Sequence, residues 1–158
     1  MNVQYCYLQS PIGLVEISAV TQGIRAIKFV EKRGFEAQQT PLLNLATEQL
    51  AGYFDGQRQV FDLPLAAQGT SFQQQVWNAL LSIPFGQTAS YLDIARKIGN
   101  PAAVRAVGAA NGKNPLSVVV PCHRIIGSNG TLTGYAGGLE RKAWLLQHEQ
   151  LQPSLGDW

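Results

Sequence analysis

The most reactive side chains in the sequence stand together at Pro121-Cys122-His123-Arg124. A cysteine reacts as its thiolate, and a neighbouring base or cation lowers its pKa from a free value of ~8.5, so a thiol beside an imidazole and a guanidinium is a candidate nucleophile. Free cysteines are also among the most commonly buried residues, and a cysteine that merely packs fits the same residue types. Leu116-Ser117-Val118-Val119-Val120 precedes the group and, being rich in β-branched residues, reads as a buried strand that Pro121 ends by withholding a ladder N–H. Successive side chains of a strand point to opposite faces, so a bridging water would have to join His123 to Cys122.

The elements around this group read as helices. Thr70 and Gln73 form a capping box for a helix with Phe72, Val76, Ala79 and Leu80 on one side, ending before Pro84-Phe85-Gly86. Ser90 and Asp93 open a short helix with Tyr91, Ile94, Ala95 and Ile98 inward and Gly99 at its end. Asn100-Pro101 caps a second one, from Pro101 to about Ala110, closed by Gly112. Two short helices joined by a Gly-containing turn have helix-turn-helix form, although many helical bundles contain such a pair. Ala102, Ala103, Ala106, Gly108, Ala109 and Ala110 leave the second helix almost without bulk, and Arg105 is the one long side chain among them. Such a surface suits either tight internal packing or entry into a minor groove only ~6 Å wide.

Beyond Cys122, residues 125–130 read as a turn and Gly137-Gly138 precedes a last helix, with Leu139, Ala143 and Leu146, beside Trp144 and Leu145, as its apolar face. His148 and Glu149 close it. An acid at a helix C-terminus opposes the dipole, which hints that Glu149 serves a site.

The first half reads as support. Val3–Leu8, Leu14–Ala19 and Ile24–Val30 form a three-stranded antiparallel meander, and Thr40-Pro41 opens a helix carrying Leu43, Ala46, Leu50, Tyr53 and Phe54 on one face until Gly56. Residues 60–65 are an edge strand by composition, with Pro64 against a central place. Residues 66–69 are the expected linker, dividing an α/β supporting domain, 1–66, from the domain that carries Cys122, 67–158. Nothing in residues 1–65 has catalytic spacing.

The net charge of +2 is too small to announce a polyanionic partner, but between Phe85 and Ile125 five basic residues face Asp93 alone. The two cysteines, with no signal peptide and no long apolar run, are expected as thiols in a reduced, cytoplasmic compartment, without a membrane association. Cys6 has no histidine in its half, so no four-ligand metal site is expected.

Pro121-Cys122-His123-Arg124 followed by two branched apolar residues, with Asn114-Pro115 upstream and Gly137-Gly138-Leu139 downstream, resembles the signature of the O6-alkylguanine-DNA alkyltransferases, the methylated-DNA–protein-cysteine methyltransferases. The resemblance covers residues 70–150 and, more loosely, the part before. It implies an α+β fold with an N-terminal ribonuclease H-like sheet and a mainly helical, winged helix-turn-helix-like C-terminal domain. It also implies one irreversible transfer of the alkyl group from O6-alkylguanine, with O4-alkylthymine as a second substrate, to Cys122. No cofactor, structural zinc or obligate protein partner is expected; the partner is double-stranded DNA carrying O6-alkylguanine, met by a monomer.

On this resemblance Cys122, His123 and Glu149 form a Cys–water–His–Glu relay, Glu149 lying twenty-seven residues after the cysteine. Arg105, seventeen residues before it, fills the hole left by a flipped nucleotide, with Ala103, Ala106 and Gly108 on the DNA-binding helix. Tyr91 crowds the 3′ phosphate and donates to guanine N3, backbone N–H groups around Tyr135 and Ala136 meet O6, and Asn114 ties helix to strand. Read locally, Tyr91 is equally a core aromatic. Ser117, Thr133 and Ala136 differ from some relatives and touch the alkyl pocket, which leaves bulky benzyl groups in question. No regulatory domain is expected ahead of the chain. The competing readings are a non-catalytic lesion sensor, against which an intact Cys122 weighs, a helix-turn-helix transcription regulator, and a cysteine hydrolase that would turn over without DNA.

Overall fold

A computed structural model describes residues 2–150. The chain divides into two compact units, one ending at Gln68 and the other beginning at Gly69.

In the first unit, β1 (Gln4–Ser10), β2 (Gly13–Val20) and β3 (Gly23–Val30) form an antiparallel sheet in the order β1-β2-β3. Cys6 pairs with Ile17, and Ile17 with Ile27, so one pleat face collects the residues that α1 (Pro41–Phe54) covers. Leu43, Ala46, Leu50 and Tyr53, spaced for one helical stripe, are wholly buried. Thr40 caps α1 by accepting from the Leu43 N–H at 3.1 Å. The edge strand expected at 60–65 reduces to a single bridge between Leu65 and Ile24. Pro64 has no N–H to give, and the side chain of Gln49 takes both backbone groups of Asp62, leaving no ladder to extend.

The second unit contains α2 (Ser71–Leu80), α3 (Tyr91–Lys97), α4 (Val104–Gly112), a 3₁₀ turn at Cys122–Arg124, and α5 (Leu139–Gln150). Both expected capping boxes form, Thr70 with Gln73 and Ser90 with Asp93. Helix α4 starts three residues later than the sequence suggests. The Ala103 N–H bonds to the Asn100 carbonyl at 3.0 Å, which places Pro101 and Ala102 in a turn instead of a first helical turn. Val107, Ala110 and Asn111 face inward, and Trp77 of α2 donates its indole N–H to the Ala110 carbonyl at 2.8 Å, clamping α4 to the core.

Residues 116–120 are not a strand. They are buried but fold as a compact turn, with Val119 N–H on the Ser117 carbonyl, Val120 N–H on the Leu116 carbonyl, and Val118 at φ +72°. Among the described residues they have no neighbouring strand, and Asn114 satisfies them instead: its amide donates to the Val120 carbonyl at 2.9 Å and its oxygen accepts from Leu116 N–H at 3.0 Å. A left-handed β-branched residue is strained by about 1–3 kcal/mol and persists only where its surroundings over-determine it. The buried face of α5 also differs. Leu139 and Ala143 are exposed, and the inward stripe is Lys142, Leu145 and Glu149. Two charged residues therefore point into the unit, because each finds partners there.

The Trp77 clamp yields a first prediction. Trp77→Phe keeps most of the packing but removes the bond to Ala110, and should lower unfolding free energy by about 1 kcal/mol. The midpoint of urea denaturation checks this, with an unchanged slope marking a pure stability effect.

Candidate functional site

Three separated segments converge on one buried carboxylate. The 3₁₀ turn, begun by Pro121, carries Cys122, His123 and Arg124, all buried, and α5 brings Glu149 against them. His123 Nε2 lies 2.7 Å from Glu149 Oε2. Arg124 grips the same carboxylate with both edges of its fork, Nε to Oε1 at 2.8 Å and Nη2 to Oε2 at 3.0 Å, and donates Nη1 to the Ile83 carbonyl at 2.7 Å. The Gly86 N–H adds a longer contact to Oε1.

The protonation states follow. Burial raises the Glu149 pKa, but hydrogen bonds and charge from His123 and Arg124 outweigh it and hold the carboxyl well below its usual range, hence ionised. An ionised carboxylate only accepts, so the imidazole carries its hydrogen on Nε2 and keeps a lone pair on Nδ1. Nδ1 is buried and has no protein partner among the described residues. Burial lowers the His123 pKa below 6.5, with the charges of Arg124 and Lys142 adding to it against the pull of Glu149; the imidazole rests neutral. The Cys122 thiol is pushed up by burial, only partly offset by the Asn114 amide and the charge of Lys142. The residue types alone left an activated thiol and a merely packed one both open; the fold buries the thiol and leaves the next residue, His123, a neutral base.

The other candidates divide into two groups. Asn114 lies under the turn that delivers Cys122 and bonds to it as described above. Tyr91, half-buried at the start of α3, places its hydroxyl 2.6 Å from Thr133 Oγ1. The hydroxyl of Tyr135 is buried near the thiol; burial and negative charge at Cys122 raise its pKa, partly offset by Ser117. Ala136, next to it, is exposed. The residues of α4 stand apart from the thiol cluster. Arg105 and Ala106 are exposed, Ala103 is half-buried, and among the described residues Arg105 forms no hydrogen bond or ion pair. The small residues Ala102, Ala106 and Ala109 are thus open to solvent, which removes internal packing as their reason. Gly108 differs, since a Cβ there would sit 3.7 Å from the Tyr91 ring.

Sequence reasoning missed Lys142 and gave Arg124 no role. Lys142 is fully buried, and its Nζ bonds to the Ile125 carbonyl and to both oxygens of Thr133. A signal was present: once Glu149 is taken to face inward, Lys142, two helical turns earlier, must share its face. Among the described residues no group of three His, Cys, Asp or Glu side chains is placed to hold a metal ion, and no helix is long and apolar enough to cross a membrane.

The chain is similar to known proteins in both sequence and fold. Residues 71–151 match the family model described as the 6-O-methylguanine DNA methyltransferase DNA-binding domain, and residues 3–67 match its ribonuclease-like domain. The methylated-DNA–protein-cysteine methyltransferase of Methanosarcina acetivorans is 46% identical over 151 residues, 92% of this chain and 97% of that one. The crystal structure of the Mycobacterium tuberculosis O6-methylguanine methyltransferase, 42% identical, superposes with a TM-score of 0.88 over 98% of this chain and 96% of that one. A protein of the same organism in complex with DNA superposes at 0.86, with 44% identity over 96% of each chain. With both halves matched and the likeness running through nearly the whole length, the chain belongs to the 6-O-methylguanine DNA methyltransferase family.

Proposed function

We propose that this protein repairs DNA by moving the alkyl group of an O6-alkylguanine onto Cys122, once and irreversibly. The observation that carries this reading is the orphaned Nδ1 of a buried, neutral His123 whose Nε2–H is committed to Glu149. That atom is a base with its lone pair free, next in sequence to a buried thiol.

The step balances simply. His123 Nδ1 takes the thiol proton through a bridging water, the thiolate attacks the alkyl carbon, an S–C bond forms and the C–O6 bond breaks. The departing guanine takes a proton at N3 from the Tyr91 hydroxyl, while backbone N–H groups near Tyr135 and Ala136 meet O6; the imidazolium then gives up the former thiol proton and the tyrosinate regains one through solvent, so the net change moves one alkyl from O6 to sulfur and one proton from sulfur to guanine. Glu149 stabilises the imidazolium formed on the way. The product thioether is inert, so each molecule acts once.

A thiol this buried meets a base only if the base leaves the duplex, at an unstacking cost of a few kcal/mol that is smallest for a damaged pair. Helix α4 supports such a role: its exposed alanines let backbone approach backbone, and Arg105 is a free, long cation able to occupy the gap. The unit from Gly69 on is then the DNA-binding and transfer domain and the first unit its support, with a reduced, cytoplasmic setting suited to two free thiols.

Intact-protein mass spectrometry after incubation with a duplex containing one O6-methylguanine tests the proposal. One added methyl per chain, located on Cys122 by digestion, is expected; Cys122→Ala should gain none and still bind the duplex, and a methylated Cys122→Ala protein would sink the assignment. Arg105→Ala should slow transfer from duplex by roughly tenfold, and transfer from free O6-methylguanine base hardly at all.

The pH dependence has a definite sign. The base works when neutral, above its pKa, and burial has moved that pKa below 6.5, so lowering the pH through 6.5 should leave the single-turnover rate nearly unchanged, with loss only in more acid solution. A rate that halves at 6.5 would mean a solvent-exposed histidine.

A further inference from the structure

We propose that Lys142 and Thr133 are positioning residues for the transfer reaction, forming a relay with Tyr91 that turns the tyrosine hydroxyl hydrogen toward the departing base. The inference rests on the reading of Tyr91 as the donor to that base and extends it to two residues that act through the tyrosine hydroxyl.

The argument begins with Lys142. Its side chain is fully buried, and an ammonium has three N–H donors and no lone pair. The site supplies three acceptors: the Ile125 carbonyl, the Thr133 carbonyl at 3.2 Å and Thr133 Oγ1 at 3.3 Å. A lysine with every N–H matched is held as a cation, even though burial lowers its pKa, and negative charge developing at Cys122 favours the cation further.

Since Lys142 can only donate, Thr133 Oγ1 accepts from it, and the threonine hydrogen must go elsewhere. Its other neighbour is Tyr91 Oη at 2.6 Å. Two orders are open. If Tyr91 donates into Thr133, the threonine hydrogen is left without an acceptor in a half-buried place. If Thr133 donates into Tyr91, the tyrosine hydrogen is the one set free, and a base acceptor arriving at the site completes a third bond. The second order satisfies one more donor as soon as substrate is bound, and each bond polarises the next away from the ammonium.

The same contacts place the hydroxyl. Lys142 holds Thr133 by its backbone as well as its side chain, and Thr133 and Tyr135 are half-buried while Leu132, Gly134 and Ala136 between and beyond them are exposed. The loop is thus pinned with alternate residues inward. Helix α5 sets where the loop lies, and the loop sets which way the hydroxyl of α3 points.

Lys142→Met removes three bonds from a buried site and risks unfolding the unit, so the relay is best cut at Thr133. With a duplex carrying one O6-methylguanine, single-turnover kinetics give the rate constant at saturating DNA and the apparent affinity separately. Thr133→Val, of nearly equal shape, should lower the rate constant roughly tenfold, the equivalent of one ordinary hydrogen bond, with affinity unchanged. Thr133→Ser should restore it to within about twofold. The deciding measurement is the double-mutant cycle: Thr133→Val added to Tyr91→Phe should slow the reaction no further, because the relay acts only through the missing hydroxyl. Additive losses, or a loss seen only in affinity, would overturn the relay while leaving Tyr91 as donor. A Tyr91→Phe protein with undiminished rate would overturn the donor reading itself.

Discussion

The ion pair between Arg124 and Glu149 is the constraint on which the second unit depends. A carboxylate placed inside a protein at the C-terminal end of a helix is opposed by desolvation and by the helix dipole together. Here a bidentate guanidinium and an imidazole N–H answer both, and the guanidinium spends its remaining edge on the carbonyl of Ile83. One charged group thereby joins the end of α5, the 3₁₀ turn and the connection after α2. Losing one partner of such a buried pair costs about 3–5 kcal/mol, since the other charge remains buried. Arg124, the last residue of the Pro-Cys-His-Arg group, is in this sense structural, and it is what makes the neighbouring histidine a defined tautomer.

The thiol depends on a second arrangement with a different physical basis. Among the described residues the segment 116–120 has no strand to pair with, and its backbone groups are met by a single asparagine and by its own turn, at the expense of a left-handed valine. The strain is local to the residues that deliver Cys122. A flexible loop of the same sequence would leave the thiol free to move; the Asn114 bonds and the burial of Val118, Val119 and Val120 remove that freedom.

Much of this was legible before any coordinates. The meander, α1 and both capping boxes are local patterns, in which side-chain type and spacing decide the conformation, and they formed as read. The departures arose where tertiary context overrode a local preference. Val118-Val119-Val120 has strand composition but no partner strand among the described residues, Pro101 has the type of a first helical residue and instead sits in a turn, and the leucines of α5 suggest one inward face although Lys142 and Glu149 set another. Hydrophobic periodicity is blind to a buried charge, because only the fold shows whether a partner waits for it. Of the candidate site, the cysteine, histidine and glutamate could be named from the sequence, but the protonation states could not: they follow from burial, which adjacency in the chain does not reveal.

Those protonation states bear on how the proposed chemistry is restrained. A cysteine ionised at rest would react with any electrophile that reached it, and a protein that acts once would be consumed by it. In this fold burial keeps the thiol protonated, and the neutral base beside it takes the proton only at the cost of creating an imidazolium that Glu149 must stabilise. The thiolate therefore forms as part of the reaction and not ahead of it. The charge of Lys142 lowers the thiol pKa, but burial outweighs it, while Arg124 is neutralised by the Glu149 carboxylate. Reactivity is then reserved for a substrate held long enough, in the right place, for proton transfer and attack to coincide, and that condition favours a base lodged in the site over a small electrophile passing through it.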